Sequence, residues 1–175
     1  MSVLDVIFNR RSIRRYEDKE IPKDVLDKIV EAGSQSPSAA NRQPYHFVIV
    51  TDSEIKQELS GRFSRFLKNA PVIIVGCANP KALLTGKWAT IDVTIALENM
   101  VLAAWSLGIG SCWIGSFNEQ KVKELLKIPE DWKVVTLITF GYPAETPKAR
   151  KKKPKKRPIQ HKPVLTKNNP PSFAE

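Results

Sequence analysis

Cysteine and histidine are nearly missing from this chain. The two cysteines, Cys77 and Cys112, form no CxxC pair, which excludes a disulfide scaffold and a cysteine-rich zinc site. Two histidines, His46 and His161, are too few for a multi-histidine metal centre. Long clean apolar runs are lacking too: Trp88 to Leu107 is interrupted by Asp92, Glu98 and Asn99, which makes it a poor membrane span. No GxxxxGK[ST] loop occurs. Gly108-Ile-Gly110 fails as a dinucleotide fingerprint because Trp113 stands where the third glycine belongs. A paired-carboxylate site is unsupported, since Asp92 and Glu98 lie six apart on a predicted helix and face different ways. No signal peptide is expected, because Ser2 to Arg11 alternates apolar and charged residues. A reducing, cytoplasmic setting is the expectation.

What is present is an ordinary globular composition with a lopsided charge. The 175 residues suit one domain and can bury about two thirds of the unfolded surface. Residues 1–145 hold 18 basic and 17 acidic side chains, whereas residues 146–175 hold 10 basic and one acidic. The body is near neutral and the tail carries the charge. Proline recurs from Pro147 onward and apolar residues thin out, so regular helix is not expected there. The expected organisation is one domain over residues 1–147 and a basic, proline-rich arm over 148–175.

Hydrophobic periodicity predicts alternating helices and strands. Ser2 with Asp5 reads as a weak capping box, followed by a stripe of Val3, Leu4, Ile7 and Phe8. Pro22 suits the first turn of a second helix, which Gly33 and Ser36-Pro37-Ser38 should end. His46 to Thr51 predicts a strand, and Asp52-Ser53 starts a third helix reaching about Arg62. Pro71 to Ala78 predicts a buried strand, and Trp88 to Leu107 a central helix buried all round. Gly108 and Gly110 should stop that helix. Ser111 to Ile114 predicts a strand, Asn118 caps a short helix, and Lys133 to Phe140 is the last strand. Both cysteines fall in apolar strands and read as buried structural thiols.

Three clusters carry chemistry beyond folding. Arg10-Arg11-Ser12-Ile13-Arg14-Arg15 places four arginines in six residues. Such a cluster is either a solvated basic face or an anion site, where guanidinium forks grip phosphate oxygens and Ser12 adds a hydroxyl. Ser38, Asn41 and Gln43 crowd neutral hydrogen-bonding groups into a turn-rich loop, where they can read a polar ring edge or simply serve the turn. Gly115, after Trp113-Ile114, lets a backbone amide approach a flat ligand closely.

Together these segments resemble the nitroreductase family of flavoproteins. Arg10-x-Ser12-x-Arg14 is similar to its Arg-x-Ser-x-Lys/Arg entry motif. Ser36-Pro37-Ser38-Ala39-Ala40-Asn41-Arg42-Gln43-Pro44-Tyr45-His46-Phe47 resembles its Ser-Pro-Ser-x-x-Asn-x-Gln-Pro-Trp-x-Phe segment. Gly141-Tyr142-Pro143 followed by Lys148-x-Arg150 resembles its C-terminal phosphate contact. The resemblance implies an α+β fold with a central, mostly antiparallel sheet flanked by helices and an extended C-terminal arm. It implies a homodimer binding FMN at the subunit interface, NADH or NADPH as reductant, and ping-pong turnover. By the same implication Arg10, Ser12, Lys148 and Arg150 hold the phosphate and ribityl end. Arg11 counts with that cluster, and Arg14 lies towards the pyrimidine edge. Pro37, Ser38, Ala39, Asn41 and Gln43 would come from the second subunit, and Ile114 and Gly115 would offer backbone groups near the ring. No residue is expected to be catalytic in its own right, because the flavin carries the chemistry.

The chain departs from the pattern before its second strand. The Asn and Lys that larger members place near the flavin have no counterpart in Arg62 to Asn69; Phe63 and Phe66 fall there, and a flavin contact by Arg65 or Lys68 is left open. The insertion that usually covers the substrate face shrinks to about Pro80 to Lys87. The expected acceptor is a small organic molecule of nitroaromatic or quinone type. The rival from another class is nucleic-acid binding by the tail from Lys148 to Arg157, which lacks interleaved aromatics.

Overall fold

A computed structural model of the chain describes residues 1–61 and 64–144. Lys148, Arg150 and the expected arm lie outside the described residues, as does Phe63.

Side-chain caps open three of the five α-helices among the described residues. Ser2 and Asp5 form a reciprocal capping box before α1 (Val3–Asn9). Asp52 accepts from the N–H groups of Glu54 and Ile55 at 2.9 Å each and opens α3 (Ser53–Leu59). This helix stops short of the expected limit at Arg62. Asn118 accepts from Lys121 N–H and opens α5 (Glu119–Leu126). Pro22 directly precedes α2 (Lys23–Ser34), and α4 spans Ala89–Ser106. Gly108, at φ 79°, ends α4 as expected. Gly33 does not end α2. It lies inside the helix, and the space of its absent Cβ is taken by Met100 and the Ala96 carbonyl of α4. The glycine therefore serves close packing of two helices rather than a stop.

Four strands, β1 (Tyr45–Val50), β2 (Val72–Ala78), β3 (Gly110–Ile114) and β4 (Lys133–Gly141), pair in the order β1-β2-β4-β3. Every pairing is antiparallel. The α+β class is as expected. Helices α2 and α4 cover one face, packing Ile29, Val93, Leu97 and Met100 on Ile74, Ile138 and Phe140. Leu59, Leu67 and Val122 cover the other, against Ile73, Val75 and Leu137. Successive β2 side chains thus enter opposite cores, which is why that strand reads as an unbroken apolar run. Strands β1 and β3 are the edges.

One expectation fails in an informative way. Helix α4 and the Trp88 that precedes it are not buried all round: Trp88, Ile91 and Ile95 are 45%, 50% and 38% exposed. They recur at i, i+3 and i+7, so they form one face. The apolar stripe of α1 is also turned outward, with Val3 72% and Phe8 68% exposed. Helices α1 and α4 touch. Large exposed apolar surfaces of this kind mark interaction sites. No helix among the described residues is long and apolar enough to cross a membrane. The described residues also hold no group of three or more potential metal ligands.

Both thiols are buried, as expected. Burial pushes the Cys77 thiol up to about 11, with the charge of Glu119 adding to the shift. A raised folded-state pKa gives stability that is complete below the unfolded value of 9.0 and is lost as pH rises through about 11. Burial shifts Tyr45 and Cys112 in the same sense, whereas the lowered Lys56 works in the opposite one. Denaturation will therefore show a larger loss of stability between about pH 8 and about pH 10.5 for the native protein than for Cys77→Ala, by on the order of 2 kcal/mol at most, read as a larger fall in Tm. Equal losses would refute the assignment.

Candidate functional site

The arginine segment lies in extended form along edge strand β3. Ser12 bridges Ser111 in parallel, Ile13 N–H donates to Ser111 O at 2.9 Å, and Tyr16 bridges Pro143. Ile13 is 1% exposed and anchors the segment in the core. Gly110 makes this close approach possible, since a Cβ there would sit 2.6 Å from Ile13 Cγ1 and 2.8 Å from its Cβ. Gly110 is thus a contact glycine rather than the helix stop expected of it. The Tyr16 hydroxyl ties the segment down at its far end, donating to Ile13 O at 2.6 Å.

Alternation along this extended backbone separates the arginines. Arg10, Ser12 and Arg14 converge beside Cys112. Its thiol is raised chiefly by burial, opposed by the charges of Arg14 and Arg10 and by hydrogen bonds from Ser12 and Arg14. Arg11 turns back instead: its Nη1 donates to Phe8 O at 2.8 Å and Arg10 O at 2.7 Å, capping α1. The ion pairs of the described residues include none of these arginines. Uncompensated guanidiniums and the Ser12 hydroxyl form a donor set fitted to a phosphate dianion. The buried Arg11 Nε and Ser111 Oγ beside them have no hydrogen-bond partner among the described residues.

Ile114 and Gly115 stand farther along the same edge, about 10 Å from Ser111 at the usual rise per residue. The Ile114 carbonyl accepts from Thr136 Oγ1 at 3.0 Å. Gly115 is exposed, and a Cβ built on it meets nothing within 4 Å. Packing within the described chain does not demand glycine there. Gly115→Val will accordingly leave Tm within about 2 °C of wild type. If the open face admits a flat ligand, the same variant will lose it. A fall in Tm without loss of ligand would show that Gly115 serves the fold.

The second cluster sits elsewhere. The loop from Ser36 to Pro44 leads into β1, the opposite edge strand. Tyr45 pairs with Ala78 and Ala78 with Lys133, whereas Ser111 pairs with Phe140 and Phe140 with Val72. The two clusters therefore occupy diagonal corners of one sheet, three strand spacings or about 14 Å apart across it and further along it. Ser38 Oγ accepts from Gln43 N–H at 3.0 Å and so shapes the loop itself. Ala40, Asn41 and Gln43 are left-handed at φ 50°, 53° and 49°. For residues with a Cβ this costs on the order of 1 kcal/mol each. Pro37, Ala40, Asn41 and Gln43 are exposed and Ala39 half-buried, and the Asn41 and Gln43 side chains make no hydrogen bond among the described residues.

The last described residue, Ala144, donates its N–H to Arg15 O at 3.0 Å. The chain thus leaves the described region beside the arginine segment, just ahead of Lys148 and Arg150. Lys68 lines a cleft of about 750 Å³ with Tyr16, Glu20 and Lys56, and Arg65 lines a neighbouring hollow with Gln57 and Ser60. Sequence reading missed Cys112 as the floor under the arginines. It also missed Asp92 and Asn99 as holders of the loop, although two polar residues seven apart in an apolar helix are a signal that they share a face.

Comparison with known proteins defines the class. The sequence model of the Nitroreductase family matches residues 7–75 and 60–142, and the chain belongs to that family. A nitroreductase family protein from Clostridium novyi NT is 37% identical with a TM-score of 0.76, over 82% of this chain and 86% of that one. The FMN-dependent nitroreductase of Clostridium difficile R20291 is 35% identical with a TM-score of 0.76, over 83% and 90%. A protein of Methanothermobacter thermautotrophicus that carries the provisional name NADH dehydrogenase/NAD(P)H nitroreductase is 38% identical over 86% of this chain and 82% of its own.

Proposed function

We propose that this protein is an FMN-dependent oxidoreductase that passes hydride from NADH or NADPH to a small organic acceptor of nitroaromatic or quinone type. The observation that carries the reading is the convergence of Arg10 and Arg14, outside every ion pair of the described residues, with Ser12 on the segment that runs along the β3 edge. Family membership supports it: the Clostridium difficile relative is described as FMN-dependent, and a relative from Bacillus subtilis, 29% identical over 82% of this chain, is named an NAD(P)H-dependent FMN reductase. When bound, FMN would supply the hydride chemistry that links the reductant to the acceptor, held by the residues that follow.

The chain's own residues bind and orient. Arg10 and Ser12, with Lys148 and Arg150, hold the phosphate and ribityl end. Arg14 supplies positive charge where the reduced ring carries negative charge. Ile114 and Gly115 offer backbone groups near the ring, where the exposed Gly115 carries no side chain to obstruct it. Pro37, Ser38, Ala39, Asn41 and Gln43 reach the flavin of a second subunit. Support for that homodimer is twofold. The two clusters lie at diagonal corners of one chain, so a single chain carries half of two sites. The outward apolar faces of α1 and α4 also need a cover. The setting is cytoplasmic, in keeping with two reduced thiols.

The basic run behind the nucleic-acid reading lies outside the described residues and gains no support from the family. The test is the visible spectrum of the purified protein, repeated after anaerobic addition of NADH and then NADPH. A flavin spectrum that bleaches is the expected result, and the faster donor is the reductant. A colourless protein that takes up no added FMN would defeat the proposal.

A further inference from the structure

Helix α4 contains a buried carboxylate that neither the core nor any ion pair explains. Asp92 is 4% exposed and has no cationic partner among the described residues. Its one hydrogen-bond donor there is Ala39 N–H, 3.2 Å from each of its oxygens. Two turns further on, Asn99 Nδ2 donates to the buried Ser36 Oγ at 2.8 Å. The two side chains share a face of α4 and grip the same loop at Ser36 and Ala39. That loop needs holding, since Ala40, Asn41 and Gln43 all follow in left-handed backbone. Burying a carboxylate against a single donor is unfavourable, and an apolar side chain would suit this helix better. The Tyr45 hydroxyl nearby is buried without a hydrogen-bond partner among the described residues, so no neutral network repays the carboxylate either.

We infer that Asp92, with Asn99 as a second pin, is a positioning residue: its carboxylate fixes the Ala39 amide so that Asn41 and Gln43 are presented outward to the flavin. The inference rests on the flavin reading above. It assigns no proton transfer to Asp92, which lies behind the loop rather than against a ligand.

Three variants test it. Asp92→Asn keeps an acceptor for the Ala39 amide. Asp92→Leu removes the acceptor and the buried charge. Ala39→Pro removes the donor, and any direct effect of its ring on the flavin is carried equally by the combined variant below; Ala39 opens a 3-10 turn and Ser38 before it is extended at φ −140°, ψ 160°, so proline fits the backbone. FMN dissociation is followed by flavin fluorescence, and amide hydrogen exchange of residues 40–43 is measured on flavin-free protein. Asp92→Leu and Ala39→Pro should each weaken FMN binding about tenfold or more and speed loop exchange. Asp92→Asn should stay within about threefold. The combined Asp92→Leu/Ala39→Pro variant should be no worse than the weaker single variant, because both delete one hydrogen bond. Wild-type FMN affinity in Asp92→Leu, or additive losses in the combined variant, would overturn the inference. If Asp92→Leu does not fold, Ala39→Pro against Asp92→Asn decides the same question. A native protein that binds no FMN would defeat the flavin reading. Loop exchange would then still decide the pin, with unchanged exchange in Asp92→Leu counting against it.

Discussion

Arg10→Ala/Arg14→Ala will strip this protein of FMN while leaving it folded. Each guanidinium gives a charge-assisted hydrogen bond worth about 1.5–3 kcal/mol, so losing both costs about 3–6 kcal/mol. That corresponds to a fall in affinity of roughly 10²–10⁴-fold. The fold has little to lose. Arg14 is exposed, Arg10 half-buried, and neither has a carboxylate partner among the described residues. Removing two like charges from a crowded segment relieves repulsion, so Tm should hold or rise slightly. Equilibrium dialysis of FMN alongside a melting curve reads both quantities. Affinity within threefold of wild type would refute the assignment of Arg10 to the phosphate end and Arg14 to the ring edge of the flavin.

Gly110→Val will damage fold and cofactor binding together. The new side chain meets Ile13 at Cγ1, Cβ and Cγ2, 2.6, 2.8 and 3.1 Å from the first added carbon. Ile13 is β-branched and fully buried, so it cannot swing aside. The backbone from Arg10 to Arg14 must lift off β3 instead. Overpacking of this kind costs about 1–3 kcal/mol, or roughly 3–10 °C in Tm. The displaced Ser12 and arginines then no longer converge, and FMN affinity falls with stability. Gly115→Val, just past the end of β3, is the control: it should separate the two effects by sparing the fold. If Gly110→Val melts early yet binds FMN normally, the segment's register on β3 is not what builds the site.

Local chemistry made most of the elements readable. The caps at Ser2, Asp52 and Asn118 announce their helices because side-chain oxygens satisfy the first free amides wherever the chain goes next. The run Val72 to Ala78 reads as a buried strand because both faces are covered. Long-range facts were hidden. Nothing in a local window says that β4 inserts between β2 and β3, or that Gly33 meets Met100 rather than ending its helix. Of the site, the arginine segment and the Ser36–Gln43 loop were readable as motifs. Their places at opposite corners were not, because strand order sets them. Arg11 shows the same limit from the other side. Residue type puts it in the cluster, but reach and alternation turn it back onto α1. Asp92 looked like an interruption of an apolar helix because its partner is 53 residues away.

The diagonal arrangement also governs how damaged copies of this chain would behave in company. In the proposed dimer each flavin draws arginines from one subunit and the polar loop from the other. A subunit lacking Arg10 and Arg14 and a subunit lacking Asn41 and Gln43 are each inert when paired with themselves. Paired with one another they gather both lesions into one site and leave the other whole. Two dead proteins, unfolded and refolded together, would recover activity that neither holds alone. In a cell carrying both alleles, the defects would complement rather than add.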